Sequence, residues 1–149
     1  MKKFLIIFLL SISSCGYQPL YVDANNEELI FKEIDLRGNK KINRKIISTL
    51  NISKDSTNYN YEELILDSKK NTQITAKNSK GEAVSYKAFI ETVLITINKN
   101  GEKVNKSFNA DFSYGTKKNK FELAEYEKQI EGNLIEEITE DIIIYINLK

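Results

Sequence analysis

Hydrophobic and polar residues near residue 30 follow a pattern that predicts a strand leading directly into a helix. In "LIFKEIDLRG" (29–38) the period is two. The residues that would share one face of this strand are Ile30, Lys32, Ile34 and Leu36. In "NKKINRKIISTLNI" (39–52) the spacing becomes helical, with Asn39 as the N-cap. The hydrophobic side of this helix would consist of Ile42, Ile46, Ile47 and Leu50. A strand followed by a helix is typical of a crossover between parallel strands.

Three further strands are predicted at hairpin spacing, at about 62–78, 83–98 and 102–114. The connecting sequences "NSKG" and "NKNG" contain the residues that tight turns require. In the last strand, one face would carry Val104, Lys106, Phe108, Ala110, Phe112 and Tyr114, and the other Asn105, Ser107, Asn109, Asp111 and Ser113. This alternation predicts a strand that is buried on one side and wet on the other.

The C-terminal segment 120–149 returns to a helical period. Its hydrophobic stripe consists of Leu123, Ile130, Leu134, Ile138, Ile142 and Tyr145. The predicted order is therefore β-α-β-β-β-α. The arrangement that buries every hydrophobic face is an α/β (α+β) two-layer sandwich, in which a four-stranded, mostly antiparallel sheet carries both helices on one face.

A short hydrophobic leader precedes this domain. Lys2 and Lys3 are followed by an apolar run at 4–10, which is typical of a secretory signal and too short to span a bilayer stably. "ISSCG" then resembles the bacterial lipobox, so Cys15 is predicted to receive lipid and become the mature N terminus. We expect a lipoprotein signal peptide at 1–14, an acylated extended tether at 15–28 and one domain at 29–149.

The amino-acid composition excludes several classes of function. The chain has no histidine and a single cysteine, Cys15, which excludes Ser-His, thiol and histidine-dependent metal chemistry in the mature protein. Loss of Lys2 and Lys3 with the leader leaves 20 basic against 21 acidic side chains, where the whole chain has 22 and 21. A net charge this close to zero argues against a nucleic-acid partner. The sequence therefore predicts no enzyme, no metal and no cofactor.

At this point the pattern resembles the LptE-type lipoproteins of lipopolysaccharide assembly, in a form similar to the alphaproteobacterial members. The resemblance rests on "CGYQPLY" directly after the lipobox, on the element order and on the long C-terminal helix, and it spans the mature chain. It implies a lipid-anchored protein on the periplasmic side of the outer membrane. Such a protein sits inside the LptD β-barrel, helps the barrel to assemble, and assists insertion of lipopolysaccharide into the outer leaflet.

The resemblance also implies basic side chains that meet lipid A phosphates, although no local motif transfers their positions. On physical grounds the candidates are Lys117, Lys118 and Lys120, in "TKKNK" between the last strand and the long helix. A second basic cluster, in the first helix, comprises Lys40, Lys41, Arg44 and Lys45. Both clusters also fit ordinary solvated surfaces. An alternative function is a periplasm-facing scaffold or auxiliary lipoprotein of another envelope lipid-transport system.

Overall fold

Five strands form one sheet, and two helices cover one of its faces. The computed structural model describes residues 29–147. The elements are β1 (Leu29–Gly38), α1 (Lys40–Thr49), β2 (Ile52–Lys54), β3 (Tyr61–Lys77), β4 (Ala83–Asn98), β5 (Lys103–Gly115) and α2 (Lys120–Asn147). The predicted signal peptide, the tether and the lipid-attachment residue Cys15 lie outside the described residues.

The sheet confirms the predicted two-layer α/β class and adds one strand to it. The strand order is β2-β1-β3-β4-β5. β1 runs parallel to β2 and β3, whereas β3, β4 and β5 form an antiparallel meander. The crossover from β1 through α1 to a parallel strand is therefore confirmed.

The additional strand β2 corrects the predicted end of the first helix. The helix ends at Thr49 rather than at residue 52, because Asn51 takes a left-handed backbone (φ 51°) that stops helical propagation. The chain then turns, and Ile52 pairs with Leu29 of β1. Asn39 caps the start of this helix as predicted, since its side chain accepts hydrogen bonds from the backbone of Lys41 and Ile42.

Two turns of the same construction join the strands of the meander. In each, an asparagine Oδ1 accepts backbone hydrogen bonds from residues two and four positions later: Asn78 at 2.9 and 3.0 Å, and Asn98 at 3.0 and 2.8 Å. The glycine of each turn has a positive φ, 82° at Gly81 and 79° at Gly101. The prediction from "NSKG" and "NKNG" is thus confirmed in chemistry and in position.

The core lies between the sheet and the helices. Phe108, Ala110 and Tyr114 of β5 are buried, and the hydrophobic stripe of α2 faces them with Ile130, Leu134, Ile138 and Ile142. Phe112 is the exception, because 46% of its surface is exposed. This position, predicted as core, lines an open groove beside α2 instead of lying beneath the helix.

The buried face of β1 is the predicted one at Ile34 and Leu36, which pack against the core, but differs at the start of the strand. Strict alternation would place Phe31 on the other face of the strand from Ile30 and Lys32. Phe31 is nevertheless buried, and its ring stacks on that of Tyr61 with centroids 5.0 Å apart. Phe31 pairs with Tyr61 at the first residue of β3, so the burial of its ring depends on a strand thirty residues later in the chain. Lys32 instead forms a part-exposed ion pair with Glu62.

Close backbone contact joins the end of β1 to β3. Gly38 has φ 62°, and a Cβ atom built there would lie 2.3 Å from the carbonyl oxygen of Ser68. The next residue, Asn39, donates its backbone N–H to that same oxygen at 2.7 Å. The buried Asn43 extends the junction, because its Nδ2 donates to the backbone oxygens of Arg37 and Leu66. The start of α1 is thereby fixed against the sheet.

Candidate functional site

The loop between β5 and α2 lies at the same end of the sheet as the β3–β4 turn. Gly115 pairs with Ser85, close to the pairing of Lys77 with Ala83. This brings together five exposed lysines: Lys77, Lys80, Lys117, Lys118 and Lys120. We call this group the basic end. The sequence predicted Lys117, Lys118 and Lys120. It did not predict Lys77 and Lys80, because they reach this end of the sheet only through the pairing of β3 with β4.

Lys117 contacts an aromatic ring within the basic end. Its Nζ lies 3.8 Å from the centroid of the Tyr126 ring, in a cation–π contact. Tyr126 in turn meets Tyr114 edge-on at 6.0 Å, and Tyr114 stacks on Tyr86 at 5.4 Å. The cation therefore rests on a series of aromatic rings that begins in the sheet.

The Tyr114 hydroxyl anchors this aromatic series by donating to Glu127 Oε1 at 2.8 Å. Burial, with the Glu127 carboxylate in addition, raises the pKa of Tyr114 to about 12. The hydroxyl therefore stays protonated throughout the physiological range and keeps its role as a donor.

The other side of the loop is fixed by a helix cap. Asn119 Oδ1 accepts the backbone N–H of Glu122 at 2.8 Å, and the Glu122 carboxylate accepts from Asn119 Nδ2 at 2.9 Å. This reciprocal pair is similar to a capping box, except that Glu122 accepts from the side chain and not from the backbone of the N-cap residue. Lys118 and Lys120 flank the cap and form no ion pair with an acidic residue in the part of the chain that the structure describes.

The basic end can therefore attract an anion. Lysine ammonium groups donate charge-assisted hydrogen bonds to phosphate, as point charges rather than as the planar fork of arginine. Between residues 29 and 147 no cluster of three side chains suited to metal binding occurs.

The second basic cluster is partly neutralised. Lys41 Nζ lies 2.8 Å from Glu131 Oε1, and Lys70 pairs with the other oxygen of the same carboxylate. Glu131 is largely buried, which alone would favour its neutral form, but the hydrogen bonds from Lys41 and Lys70 hold its pKa below the usual value. This carboxylate joins α1, β3 and α2, so we assign it a structural role.

Replacement of Glu131 by glutamine is expected to lower the free energy of unfolding at neutral pH by about 1 kcal/mol, because both ion pairs lose their charge. A group whose pKa is lower in the folded state stabilises the fold above its unfolded pKa. This contribution disappears as the pH falls through the folded-state value. Urea titrations of both proteins should therefore converge in acid. Glu137→Gln, an exposed change on the same helix, serves as the control and should track wild type at every pH.

None of the helices in the described residues is long and apolar enough to cross a membrane. Comparison with known proteins finds similarity in structure only. No protein-family model matches the sequence, and no curated protein matches it.

Two solved structures share the fold at low sequence identity. Rare lipoprotein B from Shewanella oneidensis is 11% identical, with a TM-score of 0.59 over 76% of this chain and 92% of its own. Uncharacterized lipoprotein B from Nitrosomonas europaea is 9% identical, with a TM-score of 0.53 over 87% of this chain and 88% of its own. The fold of this chain is therefore one that bacterial lipoproteins also have.

Proposed function

We propose that this protein is an outer-membrane lipoprotein that assists assembly of the LptD-type β-barrel and helps to insert lipopolysaccharide into the outer leaflet. The observation that carries the proposal is the sequence "ISSCGYQPLY", a lipobox with its following residues, attached to a fold also found in bacterial lipoproteins. The protein would act by binding and by shaping its partner, without covalent chemistry.

The basic end supports the lipid-binding half of this proposal. Its exposed lysines are well placed to meet the phosphates of lipid A, and the contact with Tyr126 holds Lys117 in position. The alternative is a scaffold lipoprotein of another envelope lipid-transport system. It would share the anchor and the fold but would not accompany a transport barrel.

Depletion of the protein separates these alternatives. We expect loss of correctly assembled barrel and accumulation of lipopolysaccharide on the inner side of the outer membrane. Crosslinking in outer membranes, followed by purification of this protein, should yield a large β-barrel protein. Normal barrel assembly in a strain that lacks the protein would refute the assembly role and favour the scaffold alternative.

Replacement of Cys15 by serine is expected to abolish lipid attachment, because the thiol is the acceptor of the lipid. Metabolic labelling with a palmitate analogue should mark the wild-type protein and leave Cys15→Ser unlabelled. The unlabelled protein should either leave the membrane fraction or keep its leader. A labelled Cys15→Ser protein would show that the lipid is attached elsewhere or that the lipobox reading is wrong.

Reversal of charge at Lys117, Lys118 and Lys120 to glutamate is expected to weaken lipopolysaccharide binding by about tenfold or more at low salt, where exposed charges are least screened. The fold should persist because all three residues are exposed. Binding of purified lipopolysaccharide to both proteins at low and high salt measures the effect. Lys40, Arg44 and Lys45, changed together to glutamate in α1, form the matched control. Equal loss in both triple variants would mean that overall charge, and not the basic end, decides binding.

A further inference from the structure

The sheet has four stretches of strand edge without a neighbouring strand in the described residues. They are the outer side of β2, the outer side of β1 beyond Phe31, where β2 ends, and β3 beyond Ser68, where β1 ends. The fourth is the whole outer side of β5. Such edges present backbone N–H and C=O groups that can pair with another extended chain.

Three of these edges carry the features that normally discourage such pairing. The free part of β1, residues 32–38, has four charged side chains: Lys32, Glu33, Asp35 and Arg37. β2 is only three residues long, and Lys54 lies on it. The free part of β3, residues 69–77, contains three lysines: Lys69, Lys70 and Lys77. Short length and edge lysines are the usual protection against strand addition.

The β5 edge lacks this protection over most of its length. Its pairing with β4 runs without a register shift from Lys103 to Gly115, so no bulge twists the edge away. Between residues 107 and 115 the only charged side chain is Asp111, which is 3.0 Å from Lys87 and thus neutralised. The chain also has no proline here.

An open groove of about 130 Å³ lies between this edge and α2. Phe112, Tyr126, Ile130 and Leu134 form its apolar part, and the amides of Gln129 and Asn133 lie beside them. Side chains of a strand alternate between its two faces, so every second side chain of a strand added to β5 would point towards this groove. The exposed ring of Phe112 is placed to be covered by one of them.

Acidic side chains in and beside the groove indicate that its occupant carries positive charge. Glu137 lines the groove, and Glu140 and Asp141, one turn further along α2, are exposed. Within residues 29–147 none of these acids forms an ion pair with lysine or arginine. A second copy of this chain is a poor occupant, because a two-fold axis at β5 would bring the two acidic α2 surfaces together.

We propose that the β5 edge and this groove form a docking site for an extended segment of a partner protein. The segment adds to the sheet beside β5, places an aromatic or large aliphatic side chain against Phe112 and Tyr126, and places a basic side chain beside Glu137. This site does not depend on the lipopolysaccharide function proposed above.

Two fluorescent peptides test the proposal, Thr-Thr-Phe-Thr-Lys-Thr-Thr and its reverse, so that both strand directions are sampled. They are titrated into the purified lipidated protein in detergent. One direction should bind, and the amide resonances of β5, Ile130 and Leu134 should shift, whereas those of the free β3 edge should not. The same peptide with N-methylated threonines keeps its side chains but loses strand hydrogen bonds, and should bind about tenfold more weakly or less.

Variants of the protein test the groove itself. Phe112→Ser and Glu137→Lys should each lower the affinity for the peptide by about tenfold. Glu136→Lys makes the same charge change outside the groove lining and should leave the affinity unchanged. Three results would overturn the proposal: no binding by either peptide, equal binding of the N-methylated peptide, or shifts confined to β3. It would also fail if Asn109→Cys in a Cys15→Ser background formed a disulfide-linked dimer, because a second copy would then be the occupant.

Discussion

Replacement of Phe108 by alanine is expected to lower the free energy of unfolding by about 3–5 kcal/mol. The Phe108 side chain is 6% exposed and lies in the main core cluster, where its ring meets Tyr145 edge-on at 5.8 Å. Truncation would leave a cavity between β5 and the last turns of α2. For a domain of this size the melting temperature should fall by about 10–20 °C, measurable by calorimetry or circular dichroism.

Phe112→Ala is the matched control, because it removes the same atoms from the same strand and the same face. Phe112 is 46% exposed, so its removal takes far less apolar surface out of the core. The expected loss is about 1 kcal/mol. If the two variants melted at the same temperature, β5 would not sit under α2 in the described register.

Replacement of Gly38 by alanine is expected to destabilise the protein by at least about 2 kcal/mol. Left-handed backbone costs a non-glycine residue about 1–2 kcal/mol. Steric conflict adds to this cost, because the new Cβ would lie 2.3 Å from the backbone oxygen of Ser68 and 2.6 Å from Asp67 Oδ1. The strands can relieve it only by moving β1 away from β3. Chemical unfolding measures the loss.

Gly81→Ala separates the two contributions. Gly81 has φ 82°, similar to Gly38, but nothing lies within 4 Å of the position of its Cβ. It should therefore show only the backbone cost. A Gly38 variant that is no less stable than the Gly81 variant would mean that the close approach of β1 and β3 is not maintained in solution.

Local sequence chemistry accounts for the elements that were predicted correctly. The asparagines and glycines of the two hairpin turns, the Asn39 cap and the apolar stripe of α2 act within a few residues of themselves. Their effects are therefore readable from spacing alone. The three long strands followed from these turns to within one or two residues.

The features that were missed depend on contacts between distant parts of the chain. Phe31 is buried against Tyr61, with which it pairs thirty residues later in the chain. Phe112 is exposed because it lines an open groove beside α2 that the helix does not cover. Lys77 and Lys80 join the basic end only because β3 and β4 pair in that register. No period in the sequence encodes which strand lies at an edge or where a bulge occurs.

The mixed connectivity of the sheet also sets an order for folding. β3, β4 and β5 are neighbours in sequence joined by short turns, whereas β1 must reach β3 across α1 and β2. Local contacts form with less loss of chain entropy, so the meander should appear first and β1 should add later. In that interval β3 has a free edge along its whole length. During this interval the free edge of β3 can pair with a wrong strand. Lys69, Lys70 and Lys77 protect only residues 69–77, the half of β3 that stays unpaired on this side after β1 has added.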